Sequence, residues 1–385
     1  MRMCEKSTIF AHKLYEIMAI EFKSEDLQRA HEWIAQAKHI VITTHMAPDG
    51  DAMGSALGMF NWLKSTEHRT QSTEHRPDYT EQISIIVPNA FPKFYQWMPG
   101  AEEIKIYETD GKACDALIEE ADLFICTDYN DPKRLGPLGE KMLHSSAPKI
   151  LLDHHLNPTD FADIVFSYPE ACSASEIVYR FIKETASLTE YRIQNTDLIT
   201  KDIATCIYTG LMTDTGNFSF NSTSCDLYEI IAELIRAGIK KDEIYNAVYN
   251  QYSTDRVRLT GYALYRKMRI YPEYHLSLIT LSADELDQYH YQPGDTEGLV
   301  NMPLQISDVY YSVYMREERP KPGTPKPRIR ISFRSQGDRP VNIWASEVFN
   351  GGGHMNASGG ELFGSLNQAV QLFEKTFPQY IKKED

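Results

Sequence analysis

Thr44-His45-Met46-Ala47-Pro48-Asp49-Gly50-Asp51-Ala52-Met53-Gly54-Ser55 sets a histidine and two carboxylates within seven residues. An apolar β-type run (Ile40, Val41, Ile42, Thr43) precedes it, and a helical pattern (Ala56, Leu57, Met59, Phe60, Leu63) follows. Hard divalent cations take carboxylate oxygens, and imidazole suits Mn, Fe or Zn. His-x-x-x-Asp-x-Asp at a strand end offers both kinds of ligand, on a turn freed by Pro48 and Gly50. Taken alone, Asp-Gly-Asp serves turns and helix caps equally well.

Three further segments repeat the pattern of an apolar run closed by acidic or imidazole residues. Asp122 to Thr127 leads into Asp128-Tyr129-Asn130-Asp131, and Lys149 to Leu152 leads into Asp153-His154-His155. The run from Ile203 to Leu211, helical in pattern, leads into Met212-Thr213-Asp214-Thr215-Gly216. In a parallel α/β sheet, ligands gather beyond the carboxyl ends of the strands. If the apolar runs are neighbouring strands, their terminal His and Asp residues converge on one rim.

In order and context, His45-x-x-x-Asp49-x-Asp51, Asp128, Asp153-His154-His155 and Asp214 resemble the four motifs of the DHH phosphoesterases. The segment Gly351-Gly352-Gly353-His354-Met355-Asn356-Ala357-Ser358-Gly359-Gly360 resembles the glycine-rich motif of their DHHA1 domain, and Ile331 to Ser335 its substrate-binding strand. The resemblance runs from about Ala30 to Phe377. Within the family the pair of domains is most similar to the nano-RNase group, oligoribonucleases that also act as phosphatases on adenosine 3′,5′-bisphosphate. Phosphodiesterases for cyclic di-AMP share the architecture.

At 385 residues, with 42% hydrophobic and 24% charged residues, the chain can build two domains with real cores. A net charge of −15 argues against wrapping long duplex DNA, which needs many phosphate contacts from Lys and Arg. It permits a small anionic substrate held by local positive charge, and Arg316 to Arg339 is such a region. Most of its cations read as a solvated charged hairpin, with Arg334 the one expected to touch ligand. The six cysteines show no paired metal spacing, and Cys126 and Cys206 read as core. No run approaches the roughly 20 apolar residues of a membrane span, so the expectation is a cytoplasmic protein with no membrane partner.

Residues 1–24 read as a helical extension and 25–37 as a helix packing on the first strand. Strands near 39–44, 83–88, 103–107, 122–127 and 149–152 alternate with helices, the pattern of a doubly wound parallel sheet. The repeat of Ser65-Thr66-Glu67-His68-Arg69 as Ser72-Thr73-Glu74-His75-Arg76 reads as an enlarged surface loop. Helices dominate from about Ser173 to Tyr265. Read with the family, 25–250 is the DHH catalytic domain and 251–270 a linker helix, the boundary falling near Tyr262–Pro272. A smaller α/β DHHA1 domain occupies 271–385, with the active-site cleft between the two. Its strands are expected near 275–281, 309–315 and 328–333, a proline-rich loop at 320–327, and helices near 341–349 and 366–376.

The resemblance also implies the site. His45, Asp49 and Asp128 correspond to the ligands of one metal, and Asp51, Asp128, His154 and Asp214 to those of a second, Asp128 bridging. Two divalent ions carry +4 against four carboxylates, which leaves a near-neutral centre able to activate water and stabilise in-line attack at phosphorus. Mn is the expected metal, with Mg or Co as substitutes. Asp153 is expected to orient a ligand histidine, and His155 to contact the scissile phosphate or the leaving oxygen. Ser332, Arg334, Gly351, Gly352, Gly353, His354 and Asn356 are expected to grip the far end of the substrate, the glycines as an anion nest. Tyr129 or Phe218 could stack on a base. Implied substrates are short single-stranded RNA and small nucleotides, with homodimerisation left open. The rival readings are a cyclic di-AMP or pApA phosphodiesterase and, from another class, a non-catalytic nucleotide sensor.

Overall fold

A computed structural model describes residues 20–70, 83–188, 198–320 and 326–382. The expected extension, the second copy of the duplicated pentapeptide and most of the proline-rich loop lie outside these. The chain divides into two compact units between Asn250 and Gln251.

The first unit runs α1 (Ser24–Gln36), β1 (Ile40–Thr43), α2 (Gly50–Thr70), β2 (Ile83–Val87), β3 (Ile104–Ile106), α3 (Tyr107–Glu120), β4 (Leu123–Thr127), α4 (Pro137–His144), β5 (Lys149–Asp153) and β6 (Ile164–Ser167). The helices α5 (Ala174–Ser187), α6 (Lys201–Asp214), α7 (Cys225–Arg236) and α8 (Lys241–Tyr249) follow. The strands form one parallel sheet in the order β3-β2-β1-β4-β5-β6. Every residue of β1, β4 and β5 is buried, which is why these strands read as unbroken apolar runs rather than as alternation. The strand order reverses between β1 and β4, so a crevice for ligand opens beyond their carboxyl ends.

Three expectations change here. Helix α1 packs mainly on α5 and β6, more than on β1. The first copy of the duplicated pentapeptide is no loop, because α2 continues to Thr70. The edge strand β6 has no counterpart in the sequence reading.

Helices α2 and α6 lie against each other along a seam of glycines. A Cβ added at Gly54 would stand 2.7 Å from the Cys206 carbonyl oxygen and 2.8 Å from the Gly210 amide nitrogen. One added at Gly50 would meet the Thr213 side chain, and one at Gly58 would press on Ile207. Glycines four residues apart share one helix face, so this spacing lets α6 approach α2 at backbone distance. Asp51 and Asp214 ride on these two helices.

The second unit comprises α9 (Thr254–Tyr262), β7 (Arg269–Tyr271), β8 (Leu276–Leu281), α10 (Ala283–Gln288), β9 (Tyr311–Glu318), β10 (Arg328–Ser335), α11 (Asn342–Val348), β11 (Gly352–His354), β12 (Ala357–Phe363) and α12 (Leu366–Tyr380). Its mixed sheet is ordered β11-β12-β10-β9-β8-β7, with β8 and β9 parallel and the other pairs antiparallel. Residues 254–262 do not form a free-standing linker: Leu259 and Ala263 are buried with Ile279, Leu281 and Tyr314. The boundary therefore precedes Tyr262–Pro272.

Along β10, Ile329, Ile331 and Phe333 enter the core under α11 and α12, which leaves Arg328, Arg330, Ser332 and Arg334 on the other face. The expected charged hairpin is largely ion-paired, Arg316 with Glu318, Arg319 with Asp284 and Asp287, and Arg328 with Glu361.

Candidate active site

The loops after β1, β4 and β5 and the C-terminus of α6 bring the sequence-distant His and Asp residues together. Asp49 precedes α2, and its Oδ1 accepts the backbone N–H groups of Asp51 and Ala52, at 3.1 Å each, so it caps the helix. The same carboxylate oxygen lies 3.8 Å from His45 Nε2, and Asp128 Oδ2 lies 3.3 Å from that nitrogen. On the other side of Asp128, His154 Nε2 stands 3.6 Å from Asp128 Oδ1, 3.7 Å from Asp51 Oδ2 and 3.6 Å from Asp214 Oδ2.

Asp128 takes a left-handed backbone conformation, φ +63°, and its N–H donates to the Leu152 carbonyl at 3.1 Å. Asp and Asn are the non-glycine residues that tolerate this region best. The turn aims the carboxylate back over the strand end, between the two histidines. Asp51 is held from behind: its Oδ2 accepts from the Ala174 N–H at 2.6 Å and its Oδ1 from the Ser175 N–H at 2.9 Å, the N-terminus of α5.

Both histidines turn their other nitrogen to a carbonyl. His45 Nδ1 is 3.0 Å from the Met46 oxygen and His154 Nδ1 is 3.4 Å from the Ala171 oxygen. A carbonyl only accepts, so Nδ1 carries the proton and Nε2 faces the carboxylates, the arrangement of a metal-ligating imidazole. His45, Asp49 and Asp128 bring ligand atoms within 4.8 Å of one another, as do Asp51, Asp128 and His154, and Asp128 is common to both groups. Nitrogen and oxygen donors in two sets sharing a carboxylate fit a pair of divalent cations.

The electrostatics agree. Burial, with the neighbouring Asp128 and Asp214, pushes the Asp51 carboxyl well above the usual range. Burial and Arg134 oppose charge on His45, but its contacts with Asp128 and Asp49 raise it from 6.5 to about 10. Burial likewise opposes charge on His154, and Asp128, Asp214 and Asp51 carry it well above 6.5. Without cations the cluster holds protons in their place.

His45, His154 and Asp51 all have folded values above their unfolded ones. The contributions of His45 and His154 to stability are fully present below about pH 6.5 and that of Asp51 below about pH 3.8, and each is lost as the pH rises through the folded value, about 10 for His45. Chelator-treated protein should therefore show a falling Tm over that window. Manganese should flatten or reverse the slope, because ligation displaces the protons. Thermal melts across the window, with and without Mn, check this, and a metal-free Tm that climbs with pH contradicts it.

Asp153 does not orient a ligand histidine, as expected from the sequence. Its Oδ1 accepts from His155 Nδ1 at 2.7 Å and its Oδ2 from the His155 N–H at 3.1 Å. On the far side of the ring, Arg134 Nη1 donates to His155 Nε2 at 2.7 Å. A guanidinium cannot accept, so His155 is fixed as the neutral Nδ1–H tautomer. Burial and Arg134 together outweigh Asp153 and hold it below 6.5. The sequence reading missed Arg134, one basic residue in a short polar turn with no spacing to distinguish it.

Neither candidate for base stacking in this unit is free for the role in the same way. Tyr129 is fully buried, bonded through its hydroxyl to Thr43 Oγ1 at 2.7 Å and stacked on Phe161. Phe218 is half-buried against Tyr208.

In the second unit, Ser332 and Arg334 lie on the face of β10 turned away from α11 and α12, with Gly359 and Ala357 opposite them on β12. Arg334 Nη1 donates to the Phe333 carbonyl at 2.9 Å. The glycine run differs from the expected anion nest: Gly352, Gly353 and His354 form the edge strand β11, paired to β12. The Gly351 N–H is taken by the Ala345 carbonyl at 3.0 Å, and a Cβ there would fall 1.9 Å from the Gly359 oxygen. Close packing of two backbones accounts for that glycine. Asn356 Nδ2 donates to Ser335 Oγ and to the Gly337 carbonyl, at 2.8 Å each, and so ties the hairpin to the end of β10.

Residues 39–211 match the family model described as the DHH family, N-terminal domain. The chain is 25% identical over 324 residues to the bifunctional oligoribonuclease and PAP phosphatase NrnA of Bacillus subtilis, covering 84% of this chain and 89% of that protein. It is 23% identical over 368 residues to the cyclic-di-AMP phosphodiesterase GdpP of B. subtilis, covering 91% of this chain but 49% of GdpP. The crystal structure of an exopolyphosphatase-related protein from Bacteroides fragilis superposes with a TM-score of 0.80 at 42% identity, covering 93% of this chain and 97% of that one. With its motif residues gathered at the switch point of a parallel sheet, the chain belongs to the DHH family and is a hydrolase of phosphoester bonds.

Proposed function

We propose that the protein hydrolyses short oligoribonucleotides to nucleoside monophosphates and removes the 3′-phosphate from adenosine 3′,5′-bisphosphate. The observation that carries this reading is the pair of ligand sets sharing Asp128. The similarity to NrnA, over most of both chains, supports this choice of substrate class. His45, Asp49 and Asp128 would hold one divalent cation, and Asp51, Asp128, His154 and Asp214 the other, with Mn the best match to the mixed donors. Bound there, the cations supply charge stabilisation at phosphorus and an activated water.

The protein's own residues do the positioning. Asp153 fixes the ring of His155 beside Asp128, where, once it takes a proton on Nε2, it would donate to the phosphoryl group or the leaving oxygen. In the second unit, Ser332, Arg334 and His354 offer hydroxyl, guanidinium and imidazole groups to a substrate phosphate. Gly352, with open space where a Cβ would stand, lets a ligand approach backbone. Asn356 contributes by holding that hairpin in shape.

A substrate panel assayed with Mn after chelator treatment tests the reading. An RNA pentamer and adenosine 3′,5′-bisphosphate should be turned over, and long RNA should not. A strong preference for pApA or cyclic di-AMP would favour the second reading, which the GdpP similarity motivates. Preference for inorganic polyphosphate would displace both. No metal-dependent turnover of any phosphoester would leave the sensor reading, against which every expected metal ligand stands.

A further inference from the structure

Arg134 stands at the rim of the carboxylate cluster without an acidic partner among the described residues. It lies in the short turn after β4, and its backbone oxygen accepts the Met46 N–H at 2.8 Å, tying that turn to the loop after β1. The side chain reaches across to the loop after β5, where its hydrogen bond to His155 Nε2 is the one it makes among the described residues. Its charge is felt at both His45 and His155, which flank Asp128. The guanidinium is half-buried and offers five N–H donors in a planar fork. A neutral imidazole is a weak acceptor for such a group. An anionic phosphoryl oxygen is a strong one, and the fork matches two such oxygens.

Resting on the phosphoesterase reading of this site, we propose that Arg134 is a catalytic residue that binds a non-bridging oxygen of the phosphoryl group under attack, exchanging its contact with His155 Nε2 for that oxygen. The exchange converts a bond to a neutral acceptor into one between opposite charges. Asp153 keeps the His155 ring in place through the exchange. The rival role is purely positional, with Arg134 acting only by steadying His155.

The test uses the full chain loaded with Mn, comparing wild type with R134A, R134K, H155A and the R134A/H155A double variant on an RNA pentamer. R134A should lower kcat/KM by about 10²-fold, the cost of one oriented donor to a developing oxyanion. The same factor should persist when R134A is added to H155A. R134K keeps the charge but loses the fork and should recover only part of the loss. Added guanidinium ion should partly rescue R134A and leave R134K unchanged.

Calorimetric binding of AMP, which needs no turnover, should weaken about 10-fold or more in R134A, the worth of one charged hydrogen bond. An R134A effect that vanishes in the H155A background overturns the proposal, as does AMP binding equal to wild type. Should R134A fail to fold, wild-type kcat, KM and AMP affinity in R134K overturn it. A wild type inactive on every phosphoester sinks the phosphoesterase reading instead, and AMP binding still reads the role of Arg134.

Discussion

Asp128→Asn is expected to abolish phosphoester hydrolysis, by at least about 10³-fold in kcat, while leaving the fold intact. The carboxylate belongs to both ligand sets, so its loss removes an anionic donor from each cation at once. Metal charge stabilisation is worth several kcal/mol at a phosphoryl transition state, and each 1.36 kcal/mol is about tenfold in rate.

Asparagine is the informative substitution because position 128 has φ +63° and asparagine tolerates that region, whereas alanine adds backbone strain. His45 and His154 should change as well. Burial would raise Asp128, but its contacts with His154 and His45 hold it well below the usual carboxylate range. Without that charge both imidazoles lose part of what keeps them protonated. Turnover, Mn stoichiometry by calorimetry and a thermal melt together check the expectation. An active Asp128→Asn enzyme with two bound Mn would refute the assignment of the bridge.

The second large effect concerns the glycine seam. Gly54→Val should destabilise the first unit by about 3 kcal/mol or more, at the upper end of overpacking costs. Two effects oppose each other here. Replacing a mid-helix glycine by valine gains only about 0.3–0.5 kcal/mol of helix propensity. Yet a Cβ at position 54 would meet backbone atoms of α6 at 2.7 and 2.8 Å, and backbone cannot move aside as a flexible side chain can.

The helices must separate, so packing wins over propensity. Against a typical domain stability of about 5–15 kcal/mol, the loss is severe. Activity should fall further than stability alone dictates, because separation moves Asp51 away from Asp214. Urea melts with and without Mn check this, and a Gly54→Val protein as stable as wild type would show that the seam has room.

Much of the site is legible in the sequence for a definite reason. Strands β1, β4 and β5 are buried throughout, so each reads as an apolar run, and the change to His and Asp marks where it reaches the crevice. Strand β6 escaped because it is a short edge strand with Val165 exposed. The seam left a signal that went unread, in the spacing of Gly50, Gly54 and Gly58.

The partner of Asp153 was not legible, since Asp153-His154-His155 gives no hint which ring the carboxylate meets. Nor was the hairpin form of Gly351 to Gly360. A glycine run is compatible with a nest or with two backbones in contact, and only the pairing of β11 with β12 decides.

The close approach of α2 and α6 also governs how the polypeptide acquires its chemistry during synthesis. Strands β1, β4 and β5 emerge from the ribosome well before α6, so a nascent chain can present imidazoles and carboxylates while α2 still lacks its neighbour. Until Gly210 docks against Gly54, Asp214 is not held beside Asp51 and His154, so the second set of ligands is incomplete.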